Sequence, residues 1–152
     1  MSEFKSLYIE GTKKTPKIEL NNLTGELILQ GRSFPENVAI VYQPVLDWIQ
    51  EYLKEPRKIT NFHLKLEYFN STTLFWIIKI VKLLSKIEKK ESVLNIHIYF
   101  DDDIFDYEEA DELKDVFKTI FDNFGNLNVE IGIKIHGASA NGKDVDESFT
   151  LK

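Results

Sequence analysis

Cysteine is absent from this chain of 152 residues, which removes disulfides, thiolate metal sites and cysteine nucleophiles in one step. That absence fits a reducing compartment. An excess of basic charge is missing as well, since 19 Lys and Arg stand against 25 Asp and Glu, a formal net charge of -6. Binding to a phosphate backbone relies on a basic surface, so nucleic acid is not an expected partner. Long apolar runs are also lacking. The most apolar stretch, Leu74 to Leu84, is interrupted by Lys79 and Lys82 and falls short of the roughly 20 residues that cross a bilayer. Met1 to Lys5 lacks the apolar core of a secretory signal and includes Glu3. The expectation is a cytoplasmic protein with no membrane partner.

What is present is enough for one core. Hydrophobic residues make up 43% of the chain and aromatics 12%, so apolar burial can offset chain entropy in a single compact domain. No repeat or interdomain linker interrupts it. Period-two alternation is clear in three places: Phe62, Leu64, Leu66 and Tyr68; Leu94, Ile96, Ile98 and Phe100; and Leu127, Val129, Ile131, Ile133 and Ile135. Each reads as a half-buried strand. Shorter strands are expected over 6–10, 17–20 and 26–30, with Asn21 to Gly25 supplying turn residues between the last two.

Helical spacing separates the later strands. Tyr42, Val45, Leu46, Ile49 and Leu53 form one stripe, and Ser33 with Glu36 reads as a capping box around Pro35. Pro44 should kink that helix or delay its regular part. A second helix over about 72–90 turns Ile77, Ile80, Val81, Leu84 and Ile87 inward, and a third over 107–123 buries Leu113, Val116, Phe117, Ile120 and Phe121. Helical crossovers join the later strands in parallel, and right-handed crossovers set all three helices on one face. The expected fold is therefore α/β, a mixed sheet with three helices on one side. It spans 1–136, and 137–152 reads as a mobile tail with Val145, Phe149 and Leu151 as its apolar anchors.

Three features invite a chemical reading. Eight of the 12 residues from Asp101 to Glu112 are acidic, and clustered oxygens after a strand can hold a hard cation, which would allow a metal-dependent enzyme with Asp101 to Asp103 and a histidine as acid or base. The plainer reading is a solvated loop in which Asp106 caps the third helix and Glu109 completes the box. His63, His97 and His136 all lie on the polar side of their strands, but counting along each strand sets them at different heights, so surface histidines are expected rather than a metal site. Gly11 to Pro16 has neither the glycine spacing nor the following helix of a phosphate-cradling loop, and no cofactor is expected.

Asn70, Ser71, Thr72 and Thr73 are more informative, because they stand between an alternating strand and the second helix. Small polar residues there cap a helix. A hydroxyl at a helix start is equally a good phosphorylation position, since the dipole tolerates the roughly two negative charges a phosphate adds. On the helical wheel Lys79, Lys82, Ser85, Lys86 and Lys89 define the solvent arc, and Phe75 points into its middle. An exposed aromatic beside a modifiable hydroxyl and ringed by lysines makes a partner anchor. Ser71 and Thr72 are thus the candidate modified residues, and Asn70, Thr73, Phe75 and Lys79 the candidate partner contacts.

Four blocks, in order over about residues 6–136, resemble the SiaC family of small bacterial regulatory phosphoproteins, whose fold is like that of the STAS anti-sigma-factor antagonists. They are Gly11 to Pro16 with Ile18, Gly31 to Asn37, Tyr42-Gln43-Pro44 through Trp48 and Tyr52, and Glu67 to Ser71. The resemblance implies a STAS-like regulatory domain and a partner switch. A cognate Ser/Thr kinase phosphorylates the hydroxyl after the asparagine, here Ser71 with Thr72 adjacent, and a PP2C-type phosphatase reverses it. The unmodified form then engages a target that is a diguanylate cyclase in the best-known branch, linking it to cyclic-di-GMP and biofilm behaviour. The family commonly has threonine where Ser71 stands and lysine where Phe75 stands.

Overall fold

The computed structural model describes residues 5–101, 106–123, 127–138 and 144–151. Seven strands form one sheet in sequential order: β1 (Leu7–Ile9), β2 (Lys17–Leu20), β3 (Glu26–Ser33), β4 (Ile59–Phe69), β5 (Val93–Asp101), β6 (Glu130–Ala138) and β7 (Asp144–Leu151). The first three pair antiparallel, β3 to β6 run parallel, and β7 returns antiparallel to β6. Three helices fill the parallel crossovers: α1 (Val38–Tyr52), α2 (Ser71–Leu84) and α3 (Tyr107–Asp122). The mixed α/β sheet with three helices is the architecture the sequence predicts.

Alternation explains the layering. Leu27 and Leu29 of β3, Phe62, Leu64 and Leu66 of β4, Ile96 and Ile98 of β5, and Ile131, Ile133 and Ile135 of β6 are buried in one cluster with the inner residues of all three helices. From α2 these are Ile77, Ile80, Val81 and Leu84, as the wheel predicts, and from α3 Leu113, Phe117 and Phe121. Val116, expected in the core, is 36% exposed. The opposite sheet face is polar, since the intervening positions are Asn61, His63, Lys65, Asn95, His97, Tyr99, Lys134 and His136.

Several boundaries differ from the sequence reading. Ser33 is not a helix cap. β3 continues through it by way of a bulge at Gly31, where the register shifts against β4 and φ is +111°, a conformation only glycine adopts without strain. Asn37 caps α1 instead, its side chain accepting from the Ile40 amide at 3.4 Å. Pro44 lies inside α1, which continues from Val38 to Tyr52; the carbonyl left without a donor belongs to Ile40, a residue 71% exposed to solvent. α2 stops at Leu84 rather than near residue 90, with Ser85 as its C-cap, and Ile87 remains buried in the turn that follows.

The tail expected over 137–152 also needs correction. β6 runs to Ala138, and 144–151 pairs along it as β7, with Ile131 opposite Leu151 and Ile133 opposite Phe149. Val145, Phe149 and Leu151 share odd-numbered positions, a period-two signal that Glu147 interrupts. Residues 139–143 and 152 lie outside the described residues.

Candidate functional site

The junction between β4 and α2 is a single residue, Asn70, and it holds both sides. Its amide donates to the Ser33 carbonyl at 3.1 Å, tying the start of α2 to the end of β3. Its side-chain oxygen accepts from the Thr73 amide at 2.9 Å and from the Thr72 hydroxyl at 3.0 Å, closing the helix cap. Cap duty therefore falls on Asn70 and engages Thr72. Ser71, the first residue of α2, is exposed, and among the described residues no hydrogen bond engages its hydroxyl.

Thr73 behaves differently and corrects its assignment as a partner contact. It is fully buried. Its hydroxyl donates to the Ser33 carbonyl at 3.0 Å, and its oxygen lies 2.8 Å from the Ser33 hydroxyl, which lies 2.7 Å from that of Tyr42. One proton per hydroxyl fixes the direction: Thr73 spends its own on the carbonyl, so Ser33 donates to Thr73 and Tyr42 donates to Ser33. Burial pushes the Tyr42 phenol up to about 12, so it stays a neutral donor. This closed relay joins β3, α1 and α2 directly beneath Ser71. Sequence reasoning did not find it, because Ser33 reads as a cap and Tyr42 as one member of an apolar stripe.

Phe75 is 59% exposed, as the wheel predicts. Lys79 sets its ammonium 4.7 Å from the centre of the Phe75 ring and 4.2 Å from that of Trp76, a cation–π arrangement that fixes the lysine beside the aromatic. Trp76 stacks on Tyr42 at 6.5 Å, which connects this surface pair to the buried relay. Asn70, Ser71, Phe75 and Lys79 thus follow one another along α2 from its cap into its third turn. At the neighbouring strand ends the Arg32 guanidinium lies over the rings of Phe34 and Tyr68, at 5.7 and 5.9 Å.

The spread of the histidines is smaller than counting along the strands predicts, since two of them share one height. His63 and His97 are register partners, and His136 is the partner of Tyr99, two residues further along. Their rings stack, 4.5 Å between the centres of His63 and His97 and 5.0 Å between those of His97 and His136. Hydrogen bonds join His63 to Glu26 and to Tyr99, both at 2.9 Å, and join His97 to His136 and to Asn61, both at 2.8 Å. Among the described residues no three metal-ligating side chains converge on a cation site. Residues 102–105 of the acidic segment lie outside the described residues; at its end Asp106 caps α3 by accepting from the Glu109 amide at 2.9 Å.

With this geometry in place, comparison with known proteins is informative. A family model described as "SiaC family regulatory phosphoprotein" matches residues 9–125. An uncharacterized protein of Pseudomonas aeruginosa (strain UCBPP-PA14) is 28% identical over 95 residues, which cover 62% of this chain and 75% of that protein. Crystallised apo-SiaC of P. aeruginosa superposes with a TM-score of 0.65 at 25% identity, covering 86% of this chain and 98% of that one. SiaC in complex with the diguanylate cyclase SiaD, which it activates, superposes at 0.67 and 25% identity, covering 86% and 99%.

Proposed function

The chain belongs to the SiaC family of regulatory phosphoproteins, and on that premise we propose that it is a non-catalytic partner switch gated by reversible phosphorylation of Ser71. A cognate Ser/Thr kinase adds the phosphate and a PP2C-type phosphatase removes it. The unmodified chain binds a diguanylate cyclase in the cytoplasm and so sets cyclic-di-GMP output and biofilm behaviour. One observation carries the reading: the hydroxyl that opens α2 is exposed and takes no part in the cap, which Asn70 supplies.

That arrangement lets modification change the surface and spare the scaffold. A phosphate on Ser71 adds about two negative charges where the positive end of the helix tolerates them, and it breaks no hydrogen bond of the cap or the relay. A partner seated on Phe75 and Lys79 would have to desolvate that dianion, at several kcal/mol unless it is paired. Since about 1.4 kcal/mol is tenfold in affinity, docking becomes nearly on or off. Thr72 is exposed too, but its hydroxyl is engaged with Asn70, which favours Ser71 as acceptor.

The test is target binding by full-length variants, with fragment mapping by mass spectrometry of protein taken from its own cells. Ser71→Ala should bind like the unmodified chain and Ser71→Asp should bind more weakly by tenfold or more. Equal affinities for the two variants, or phosphate found only away from 71–72, would overturn the proposal.

A further inference from the structure

α1 and α2 both begin at the carboxyl edge of the sheet and lie side by side, leaving an open groove between them. Leu46 of α1 and Leu83 of α2 line it together with Asp47 and with Lys79, Lys82 and Lys86. Asp47 is held by the Gln43 amide at 2.9 Å. Among the described residues no carboxylate forms an ion pair with any of the three lysines. Their spacing of three and four residues draws them into one row, about 10 Å long at the rise of a helix. The chain as a whole carries a net charge of -6, so a cationic groove is a local reversal of sign. Phe75, 59% exposed, stands one helical turn before Lys79, whose ammonium lies over its ring, and Ile40, near the start of α1, is 71% exposed.

We propose that this groove docks an acidic amphipathic helix of the target protein, its carboxylates meeting the row Lys79, Lys82 and Lys86 and its apolar side chains resting on Leu46, Leu83 and Phe75. The groove between two helices has the shape for a third, and the lysine row supplies the charge complement. The inference rests on the partner-switch reading and deepens it. Ser71, Phe75 and Lys79 follow one another at four-residue intervals, so a phosphate on Ser71 lies one helical turn from the aromatic and two from the first lysine. An added anion repels an acidic ligand and competes with it for Lys79. The sign of the gate matches the sign of the ligand.

The test uses the isotope-labelled full-length chain and synthetic amphipathic helices of about 20 residues, long enough to hold helical structure, in which the polar face is all Glu, all Gln or all Lys. The Glu peptide should bind, shift the resonances of Leu46, Lys79, Lys82 and Leu83, and lose affinity as salt is raised. Lys82→Glu combined with Lys86→Glu should weaken it at least tenfold. Both lysines are exposed, and a control pair, Lys58→Glu with Lys90→Glu, should leave affinity unchanged. No binding of the Glu peptide, equal binding of the Gln or Lys peptide, shifts on the polar sheet face, or unchanged affinity in the Lys82/Lys86 variant would each overturn the proposal. Phosphoserine installed at position 71 separates the two readings. If it leaves peptide affinity unchanged while the lysine variant loses it, the groove stands and the gate falls; if phosphate weakens binding and the lysine variant does not, the gate stands and the groove falls.

Discussion

Two polar networks, one on each side of the sheet, solve the same packing problem with different chemistry. Beneath α2, Ser33, Tyr42 and Thr73 form a relay of hydroxyls. On the helix-free face, Glu26, Asn61, His63, Asn95, His97, Tyr99 and His136 form a ladder built on imidazoles. Both have internally consistent proton positions. In the ladder, Asn61 donates to Glu26, so its oxygen faces His97 and accepts from that ring and from Asn95. His97 then carries its proton on Nε2, and its bare Nδ1 accepts from His136. A second proton on His97 would set two donors against each other.

What separates them is their response to pH. The relay holds nothing that titrates near neutrality, so the floor under Ser71 is insensitive to acid. The ladder contains His97, held down to about 4 first by burial and then by His63, His136 and Lys134, with Glu26 opposing. Tyr99 is raised by burial and then by Glu26, and stays protonated. The edge that carries Ser71 rests on hydroxyls, and the histidines lie on the opposite face.

Breaking the relay should give the largest effect. Thr73→Val removes two hydrogen bonds and leaves the Ser33 hydroxyl proton without an acceptor in the interior, while the Ser33 carbonyl keeps the Asn70 amide, for a loss of about 2–3 kcal/mol in denaturant unfolding. Adding Ser33→Ala to it should cost less than the sum of the single variants, because the partners are shared. Strict additivity would mean that the three hydroxyls do not act together.

The ladder should be quieter at neutral pH and speak in acid. The folded pKa of His97 lies below its ordinary value of 6.5, so the unfolded chain takes up the proton first. The contribution of neutral His97 is complete above about pH 6.5 and is lost as pH falls toward 4. His97→Gln cannot titrate and should show a shallower loss of stability across that window. Parallel curves for the two proteins would contradict the assignment, and Thr73→Val should leave the slope unchanged.

Smallest of all should be the effect of Ser71 itself on stability. Ser71→Asp places a carboxylate at the positive end of α2 and should raise stability by a few tenths of a kcal/mol, to about 1 at most. Ser71→Ala should lie within about 0.5 kcal/mol of the parent. A destabilisation as large as that of Thr73→Val would show that the first hydroxyl of α2 is structural like the third.

Much of this is legible in the sequence, and several exceptions turn on where a strand begins or ends. Alternation marks β4, β5 and β6, and the wheel puts Phe75 in solvent and Ile77 in the core, because these depend only on period. Register depends on where a strand begins. Starting β4 at Phe62 and β6 at Leu127 separates the histidines; with the observed starts at Ile59, Val93 and Glu130, His63 and His97 are each the fifth residue of their strand and His136 and Tyr99 each the seventh. Ser33 reads as a helix cap for the same reason, since β3 extends past Gln30 through the Gly31 bulge. Capping chemistry was legible at Asn70, but the depth of Thr73 was not, because a hydroxyl two residues into a helix faces inward only if a partner such as Ser33 waits there.

The sheet is laid down in the order in which the chain is written, each strand beside its predecessor. A nascent polypeptide leaving the ribosome can therefore close every pairing as soon as its second strand emerges, with no early segment waiting for a late one. Every hydroxyl of the relay lies between positions 33 and 73, so the floor under Ser71 closes without waiting for β5, β6 or β7 to be made.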